Sequence, residues 1–436
     1  MRHAKSHTAA LILTFLAIAL PFLVNEFVGE ATVMDSKFLR PLSREFWYRH
    51  LVPGEIHKTR IDEFTIVSIA RDVEPGWALG ENRCTHRFFM AKLLRKVADA
   101  DPRLIVIDKW YGKIPENVCA PGTDGTSLLQ ETVQAISSKV PIVLALGSYT
   151  RDEVLQYCPP GKAQELKPEE MVLGDSASLE EGSAPGRVIL GLARVNLDIR
   201  KIPLGWMVYQ DCADVGEKRA KPWPTLAVAA AQVLDPNIMQ GNNLTELQKK
   251  VTHPYTKLEE EGTFKTVSAI HMLCKNAGPK VNWENCEVTD GQDARREFSH
   301  KVVIVGEIWR DLHKLGETVY TGPELQANYI AALLDQSILQ PVSKWVTVPL
   351  SFVWLAFIFW IFYGWRPELP ALALVVSAVL TFGLGWLFSA VITKQFGVFA
   401  DVIPPTFLEI IGLYLARKIE MALDDHPKPG RAVHNA

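Results

Sequence analysis

Acidic side chains follow directly after several buried-strand patterns and are the first candidates for ligand chemistry. Asp72 follows the apolar run at 64–70, Asp108 ends the run LIVID, and Glu307 follows KVVIVG. In open α/β sheets ligands gather at the carboxyl edge of the strands, so these carboxylates could converge there and bind a cation through oxygen. The favoured alternative is structural, because such edges routinely carry polar residues that cap helices or form ion pairs. The candidate ion-pair partners are Arg71, Lys109 and Arg310.

A denser polar group, in the string EIWRDLH, follows the last of these strands. It contains Glu307, Arg310, Asp311 and His313. An aspartate two residues before a histidine can form a pH-sensitive pair or contact a metal. As an acid–base pair these residues have no identifiable nucleophile beside them, since neither G-x-S-x-G nor H-E-x-x-H occurs in the sequence. We therefore expect a hydrogen-bond network that ties this loop to the sheet, and no enzyme, metal site or cofactor.

Four polar residues alternate along a strand-like segment at 187–198 and just beyond it. Arg194, Asn196, Asp198 and Arg200 would all lie on one face of an extended strand. They could line a cleft for an anionic ligand. They could equally form the solvated face of an edge strand, and the pattern slightly favours this second alternative.

The elements that would position these side chains alternate between strand and helix patterns. Apolar runs at 64–70, 104–108 and 141–146 are separated by helix-like stretches at 87–98 and 126–137. Apolar runs without polar alternation are typical of parallel strands covered on both faces. The sequence therefore predicts an α/β domain with a mostly parallel sheet flanked by helices. Further strands are expected at 206–209 and 301–306, helices at 223–234 and 323–334, and insertions at about 151–185 and 241–278.

Four apolar stretches frame this domain, at 8–28, 345–363, 369–392 and 397–416. A helix of about 20 mostly apolar residues can cross a lipid bilayer. Lys and Arg favour the cytoplasmic flanks of such spans. If the four spans alternate, one side receives Arg2, Lys5, Arg366, Arg417 and Lys418. We therefore expect a bacterial inner-membrane protein with cytoplasmic termini at 1–7 and 417–436 and a periplasmic domain at 29–344.

The cysteines agree with an exported domain, because all six lie within 29–344. An even number confined to such a segment indicates disulfide bonds formed in an oxidising compartment. No C-x-x-C pair occurs, which argues against a zinc or redox site. Which cysteines pair stays open, and several could instead be free and buried. The candidates are Cys84, Cys119, Cys158, Cys212, Cys274 and Cys286.

One ionisable residue, Glu409, falls within the fourth apolar stretch. A carboxylate in hydrocarbon is costly unless it faces other helices or water. Glu409 is therefore a candidate for helix assembly or function, through a hydrogen bond to Thr406, Ser389 or a partner helix. A single intramembrane carboxylate is thin support for proton translocation.

Five strings of sequence, in this order, resemble the type-two CHASE domain, an extracytoplasmic sensory domain. They are TIVSIARDVEPGW (65–77), DPRLIVIDKWYG (101–112), VNLDIRKIP (195–203), WPTLAVAAA (223–231) and KVVIVGEIWRDLHKLG through GPELQANYIAALL (301–334). Members of that family have an N-terminal anchor, a large extracytoplasmic domain and three membrane helices, commonly followed by a kinase or cyclase. The resemblance covers nearly the whole chain and implies a sensory role. It also singles out Asp311 and His313, which follow the family's V-G strand.

Together these features predict a membrane-bound sensory protein without its own catalytic output, since only 20 residues follow the last apolar stretch. The periplasmic domain would bind a small molecule or an envelope protein, and the helices would act through a separate kinase or cyclase. The alternative is an accessory or scaffold subunit of a larger membrane complex. A third hypothesis, a membrane-anchored hydrolase, lacks a nucleophile or metal motif. The net charge of −3 gives no reason to expect nucleic acid, and a homo-oligomer is compatible with the family's usual partners.

Overall fold

The computed structural model divides the chain into two compact units, one of Gly54–Ile338 and one of Met1–Pro53 with Leu339–Ala436. The structure describes residues 58–69, 83–109, 111, 125–146, 188–193, 195, 202–208, 221–238, 258–259, 261–275, 291–309, 311–315, 318–336, 338, 340–341, 344–365, 369–377, 379–380, 387, 391, 398–399, 413–419 and 421.

The larger unit is built on a six-stranded parallel sheet with the strand order β4-β3-β2-β8-β1-β7. Its strands are β1 Phe64–Ile69, β2 Leu104–Asp108, β3 Ile142–Leu146, β4 Val188–Leu192, β7 Lys265–Ser268 and β8 Val302–Glu307. The predicted parallel sheet is confirmed, and the central strands β1, β2 and β8 are the unbroken apolar runs of the sequence. Such runs suit central strands, because both faces of each strand are buried.

Helices cover both faces of this sheet. They are α1 Lys58–Ile61, α2 Arg83–Ala98, α3 Thr126–Ser137, α4 Leu226–Leu234, α5 Ala269–Leu273, α6 Gly291–Phe298 and α7 Gly322–Leu334. One face, here called the α2 side, packs Val67 and Ile107 against α2, α3, α5 and α6. The other, here called the α7 side, packs Ile66 and Val106 against α4 and α7. Alternate residues of one strand therefore serve different helix layers.

Two antiparallel hairpins are added to this framework. Strands β5 Gly205–Val208 and β6 Lys221–Pro224 pair with each other, as do β9 Leu312–Leu315 and β10 Thr318–Thr321. The helix predicted at 223–234 begins later, at Leu226, because Trp223 and Pro224 belong to β6 and Thr225 caps the helix.

Two differences from the predicted elements have simple causes. The segment 241–278 was predicted to be an irregular insertion because of its charged composition. It contains strand β7 and helix α5. Strand β7, KTVS, is a half-exposed edge strand and therefore lacks the apolar run by which strands are recognised. The strand predicted at 187–198 ends at Leu192, and Ala193 and Val195 have no regular structure.

Helix α7 is buried along almost its whole length. The polar side chains Glu324 and Asn328 can be buried there because they form hydrogen bonds. Thr321 and Glu324 form a capping box at its start. Glu324 Oε1 accepts a hydrogen bond from the Gly262 amide at 3.1 Å, and Asn328 Oδ1 accepts one from the Glu259 amide at 2.7 Å. The helix is thus fixed to the chain segment that leads into β7.

The described part of the smaller unit contains helix α8, Lys344–Trp360, which continues as a π-helix at Ile361–Trp365. Ile358 and Phe362 pack against Ala373 and Leu413. A short parallel pair, β11 Gln340–Pro341 and β12 Val398–Phe399, completes the unit. Among the residues described, no single helix has both the length and the apolar character needed to cross a membrane. The stretch 8–28 lies outside these residues, and the four predicted spans remain a prediction.

Candidate functional site

The carboxyl edge of the central strands carries two polar clusters, one on each side of the sheet. In the β2–β8 register Asp108 lies opposite Gly306, and in the β1–β8 register Ile69 lies opposite Glu307. Successive residues of a strand point to opposite faces. Asp108 therefore faces the α7 side, together with Val106, whereas Glu307 faces the α2 side, together with Val305.

On the α2 side, Lys109 forms an ion pair with Glu307. The ammonium Nζ of Lys109 also donates a hydrogen bond to Nε2 of His86, at 2.8 Å, from helix α2. Loss of hydration lowers the pKa of His86 well below its usual value, and the positive charges of Lys109 and Arg87 lower it further. A neutral His86 is the state that can accept this hydrogen bond. These three side chains, here called the α2-side cluster, satisfy one another.

On the α7 side, Asp108 meets Asp311 and His313, which follow strand β8. His313 Nε2 lies 2.6 Å from Asp311 Oδ1, and the backbone carbonyl of Asp311 accepts a 2.7 Å hydrogen bond from the Gly322 amide. The β9–β10 register places His313 opposite the buried Tyr320 and so fixes the side of the hairpin on which it lies. We call Asp108, Asp311 and His313 the α7-side cluster.

Asp108 is the least satisfied member of this cluster. Its side chain is buried, with only 8% of the residue exposed, and Oδ2 has no hydrogen-bond partner among the described residues. Burial raises the pKa of Asp108 to about 7, the nearby Asp311 carboxylate raises it as well, and His313 opposes them. A carboxyl group that is half ionised near neutrality is common at functional sites and unusual in a structural core.

Two glycines permit the close approach of these groups to helix α7. A Cβ atom at Gly322 would overlap Oδ2 of Asp311 and would lie 3.2 Å from Oδ2 of Asp108. A Cβ atom at Gly306 would lie 2.5 Å from Pro323 Cγ and 3.3 Å from Asp108 Cβ. Both carboxylates therefore face one point on the first turn of α7, and a side chain at Gly322 would fill it.

The charge around this point is negative. Asp108, Asp311 and Glu324 are carboxylates, and His313 is the one basic side chain that the structure describes in the cluster. No three His, Cys, Asp or Glu side chains in the described part of the chain are arranged to hold a metal ion. The arrangement therefore suits a positively charged group that donates hydrogen bonds.

The structure separates two residues that were predicted to converge. Asp108 and Glu307 end neighbouring strands, but they point to opposite sides of the sheet, because their positions differ by one residue in the β2–β8 register. Glu307 instead pairs with Lys109, as the structural alternative expects. Five of the remaining candidates lie outside the described residues: Asp72, Arg194, Asp198, Arg310 and Glu409.

The cysteine predictions are tested at one position. Cys274, just after α5, is disulfide-bonded. Cys84 lies in α2 with its side chain outside the description, and Cys119, Cys158, Cys212 and Cys286 are likewise outside it. The pairing therefore stays open.

Sequence reasoning missed three residues that shape these clusters: His86, Gly322 and Glu324. The capping box T-x-x-E at Thr321–Glu324 was readable from the sequence and would have placed the start of α7. His86 had no such signal, because its role depends on the packing of α2 against the end of β2.

Comparison with known proteins gives one match. The family model of the CHASE2 domain matches residues 10–365. No curated protein and no solved structure matches the chain.

Proposed function

The chain belongs to the CHASE2 family of sensory domains, and from this premise we propose that it is a membrane-anchored extracytoplasmic sensor. Its ligand would bind at the α7-side cluster, and the signal would pass to a separate partner. The four apolar stretches and the positions of the flanking Lys and Arg residues support an inner-membrane location with the large domain in the periplasm.

One observation supports this binding site: within the described part of the chain, an oxygen of the buried Asp108 carboxylate has no hydrogen-bond donor. Buried polar groups are nearly always paired, because leaving one unpaired costs about 1–3 kcal/mol. The unpaired oxygen lies at the carboxyl edge of central strand β2, where open α/β sheets bind their ligands. A ligand that supplies the missing donor would recover this cost, which is a source of binding free energy.

The proposed route of the signal is helix α7. The ligand site lies at its first turn, and the chain continues beyond Leu334 into α8, which begins at Lys344. A ligand can shift an equilibrium only through contacts that differ between the two states. The contact of the Asp108 and Asp311 side chains with Gly322 can differ between the two states. A change in this contact would act directly on the backbone of α7.

The partner is proposed to be a separately encoded kinase or cyclase, by analogy with the outputs that accompany this kind of sensory domain. The test is purification of the full-length chain in mild detergent followed by mass spectrometry. Reproducible recovery of a protein with a kinase or cyclase domain is the expected result. Recovery of an envelope complex without such a protein would show instead that the chain is an accessory or scaffold subunit.

A second test addresses the division into a sensory domain and membrane helices. We expect a chain truncated before residue 345 to fold and to be exported, because the sheet and both helix layers lie within Gly54–Ile338. Protease resistance and circular dichroism of the truncated chain measure this. A truncated chain that is unfolded would contradict the proposed modular sensor.

A further inference from the structure

We propose that the α7-side cluster binds a small organic cation, with its ammonium or guanidinium group held between Asp108 and Asp311. The inference rests on the proposed function and adds the chemical class of the ligand.

The first argument is the state of the two carboxylates. Oδ2 of Asp108 is buried and has no donor in the regions that the structure describes, and Oδ2 of Asp311 faces the same point on α7. The buried Asp108 carboxylate and the neighbouring Asp311 carboxylate repel each other, which is why Asp311 raises the pKa of Asp108. A cation with N–H donors both removes this repulsion and donates a hydrogen bond to the unpaired oxygen. A neutral ligand can donate the hydrogen bond but leaves the repulsion in place.

The second argument excludes an anion at the start of helix α7. Helix N-termini bind anions through backbone N–H groups that are otherwise unpaired. Here Thr321 N donates to Glu324 Oε2 at 3.0 Å, Gly322 N to the Asp311 carbonyl at 2.7 Å, and Glu324 N to Thr321 Oγ1 at 3.3 Å. Pro323 has no N–H. The first turn thus has no free backbone donor, and an anion there would meet two carboxylates and, among the described residues, a single basic side chain, His313, which already contacts Asp311.

The third argument concerns a metal ion. Calcium takes six to eight oxygen ligands, and magnesium requires near-octahedral geometry. Within the part of the chain that the structure describes, no three acidic, histidine or cysteine residues are placed to hold an ion. Two carboxylates and one histidine at its side are enough for a planar guanidinium or a three-donor ammonium group.

The members of the cluster differ in exposure. The Asp311 side chain is 42% exposed and that of His313 is 19% exposed, whereas Asp108 is only 8% exposed. Because Oδ2 of Asp108 has almost no contact with solvent, the proposal requires a local opening of the cluster before a ligand reaches it. Asp311 is joined to the β9–β10 hairpin through His313, so entry of the ligand shifts the hairpin as well.

The experiment uses the full-length chain in detergent micelles and four groups of probes. These are organic cations (methylammonium, guanidinium and putrescine), divalent cations (Ca²⁺ and Mg²⁺), anions (acetate and phosphate) and neutral amides (acetamide and urea at low concentration). Binding is measured by calorimetry and by the shift in melting temperature at pH 8 and pH 6. We expect saturable binding of at least one organic cation, with higher affinity at pH 8, because a proton competes for Asp108.

Three variants locate the site. Asp108→Asn is expected to weaken this binding at least tenfold. Gly322→Ala changes no charge, but its new methyl group occupies the place of the Asp311 carboxylate, so it should weaken binding to a similar extent. Glu307→Gln, on the other side of the same sheet edge, should leave binding unchanged.

The outcomes separate the ligand class from the proposed function. Binding of a divalent, anionic or neutral probe that Asp108→Asn abolishes would keep the site and overturn the cationic class. Organic-cation binding that survives both Asp108→Asn and Gly322→Ala would place the ligand elsewhere and overturn the inference. If no probe of any group binds, the inference fails. If, in that case, Asp108→Asn and Gly322→Ala also change neither the recovery of the partner nor the melting temperature, the proposal that the α7-side cluster is the binding site is wrong as well.

Discussion

On the α2 side of the sheet's carboxyl edge, Lys109 lies between Glu307 and His86. On the α7 side, one carboxylate oxygen of Asp108 has no hydrogen-bond donor among the residues that the structure describes. Both clusters are positioned by the ends of β2 and β8. They differ in whether the buried charged groups have partners within the cluster. A cluster whose charges are paired needs no ligand, whereas a buried carboxylate oxygen without a donor can be completed by a ligand.

The same difference gives the two sides opposite responses to pH. Asp108 has a raised pKa, so below about pH 4 it is neutral in both the folded and the unfolded chain, and the folded state loses stability as the pH rises towards 7. His86 has a lowered pKa, so the folded state loses stability as the pH falls below the usual histidine value of about 6.5. Substitutions can therefore test each side separately.

The largest effect is expected for Asp108→Asn. A carboxyl group whose pKa rises from 3.8 to about 7 lowers the free energy of unfolding by about 4 kcal/mol between pH 4 and pH 8. The variant should lose this dependence and be the more stable protein at pH 8. Chemical denaturation at several pH values measures it. Asp62→Asn, at an exposed position, is the matched control. If the free energy of unfolding falls equally with pH in both variants, the folded chain does not raise the pKa of Asp108, and the prediction is wrong.

A smaller effect of the opposite sign is expected for Lys109→Met. The substitution leaves Glu307 unpaired at a mostly buried position and should destabilise the fold by about 1–3 kcal/mol at pH 8. The double variant Lys109→Met with Glu307→Gln should recover part of this loss. Urea denaturation of Lys109→Met, of Glu307→Gln and of the double variant, each compared with the unaltered chain, gives the coupling free energy. A coupling near zero would show that the α2-side cluster is no more compensated than the α7-side cluster.

Substitution of His86 should change only the acid side of the stability profile. His86→Gln keeps a hydrogen-bond acceptor for Lys109 but cannot be protonated, so the loss of stability below about pH 6.5 should become smaller. Melting temperatures between pH 5 and pH 8 measure this. His300→Gln, another histidine of the same unit, is the control. A profile that His86→Gln leaves unchanged would contradict a lowered pKa in the folded chain.

The smallest expected effects are shifts in the titration of Asp108 itself. His313→Gln removes a group that lowers the pKa of Asp108, and Asp311→Asn removes one that raises it. The midpoint of the stability change should therefore move to higher pH in the first variant and to lower pH in the second. Difference infrared spectroscopy of the carboxyl stretch reports the midpoint directly. Shifts in the same direction would show that the three side chains do not interact as the structure indicates.

The sequence predicted the central strands well, because β1, β2 and β8 are buried on both faces and their composition shows it. It missed β7, since an exposed edge strand of four residues has no such composition. The sequence also indicated that polar residues follow the strands. It could not indicate which side each faces, because one residue of register decides whether Asp108 meets Asp311 or Lys109.

Strand β8 closes the sheet although it is the last of the six strands to be synthesised. It lies between β1 and β2, pairing Val302 with both Phe64 and Leu104. Before β8 is present, β1 with β7 and β2 with β3 and β4 are separate fragments with unpaired edges, which are prone to aggregate. Pairing over such sequence separations is slow. The central sheet is therefore incomplete until β8 pairs with β1 and β2. Because Asp311 and His313 follow β8 directly, the same pairing is what brings them to Asp108.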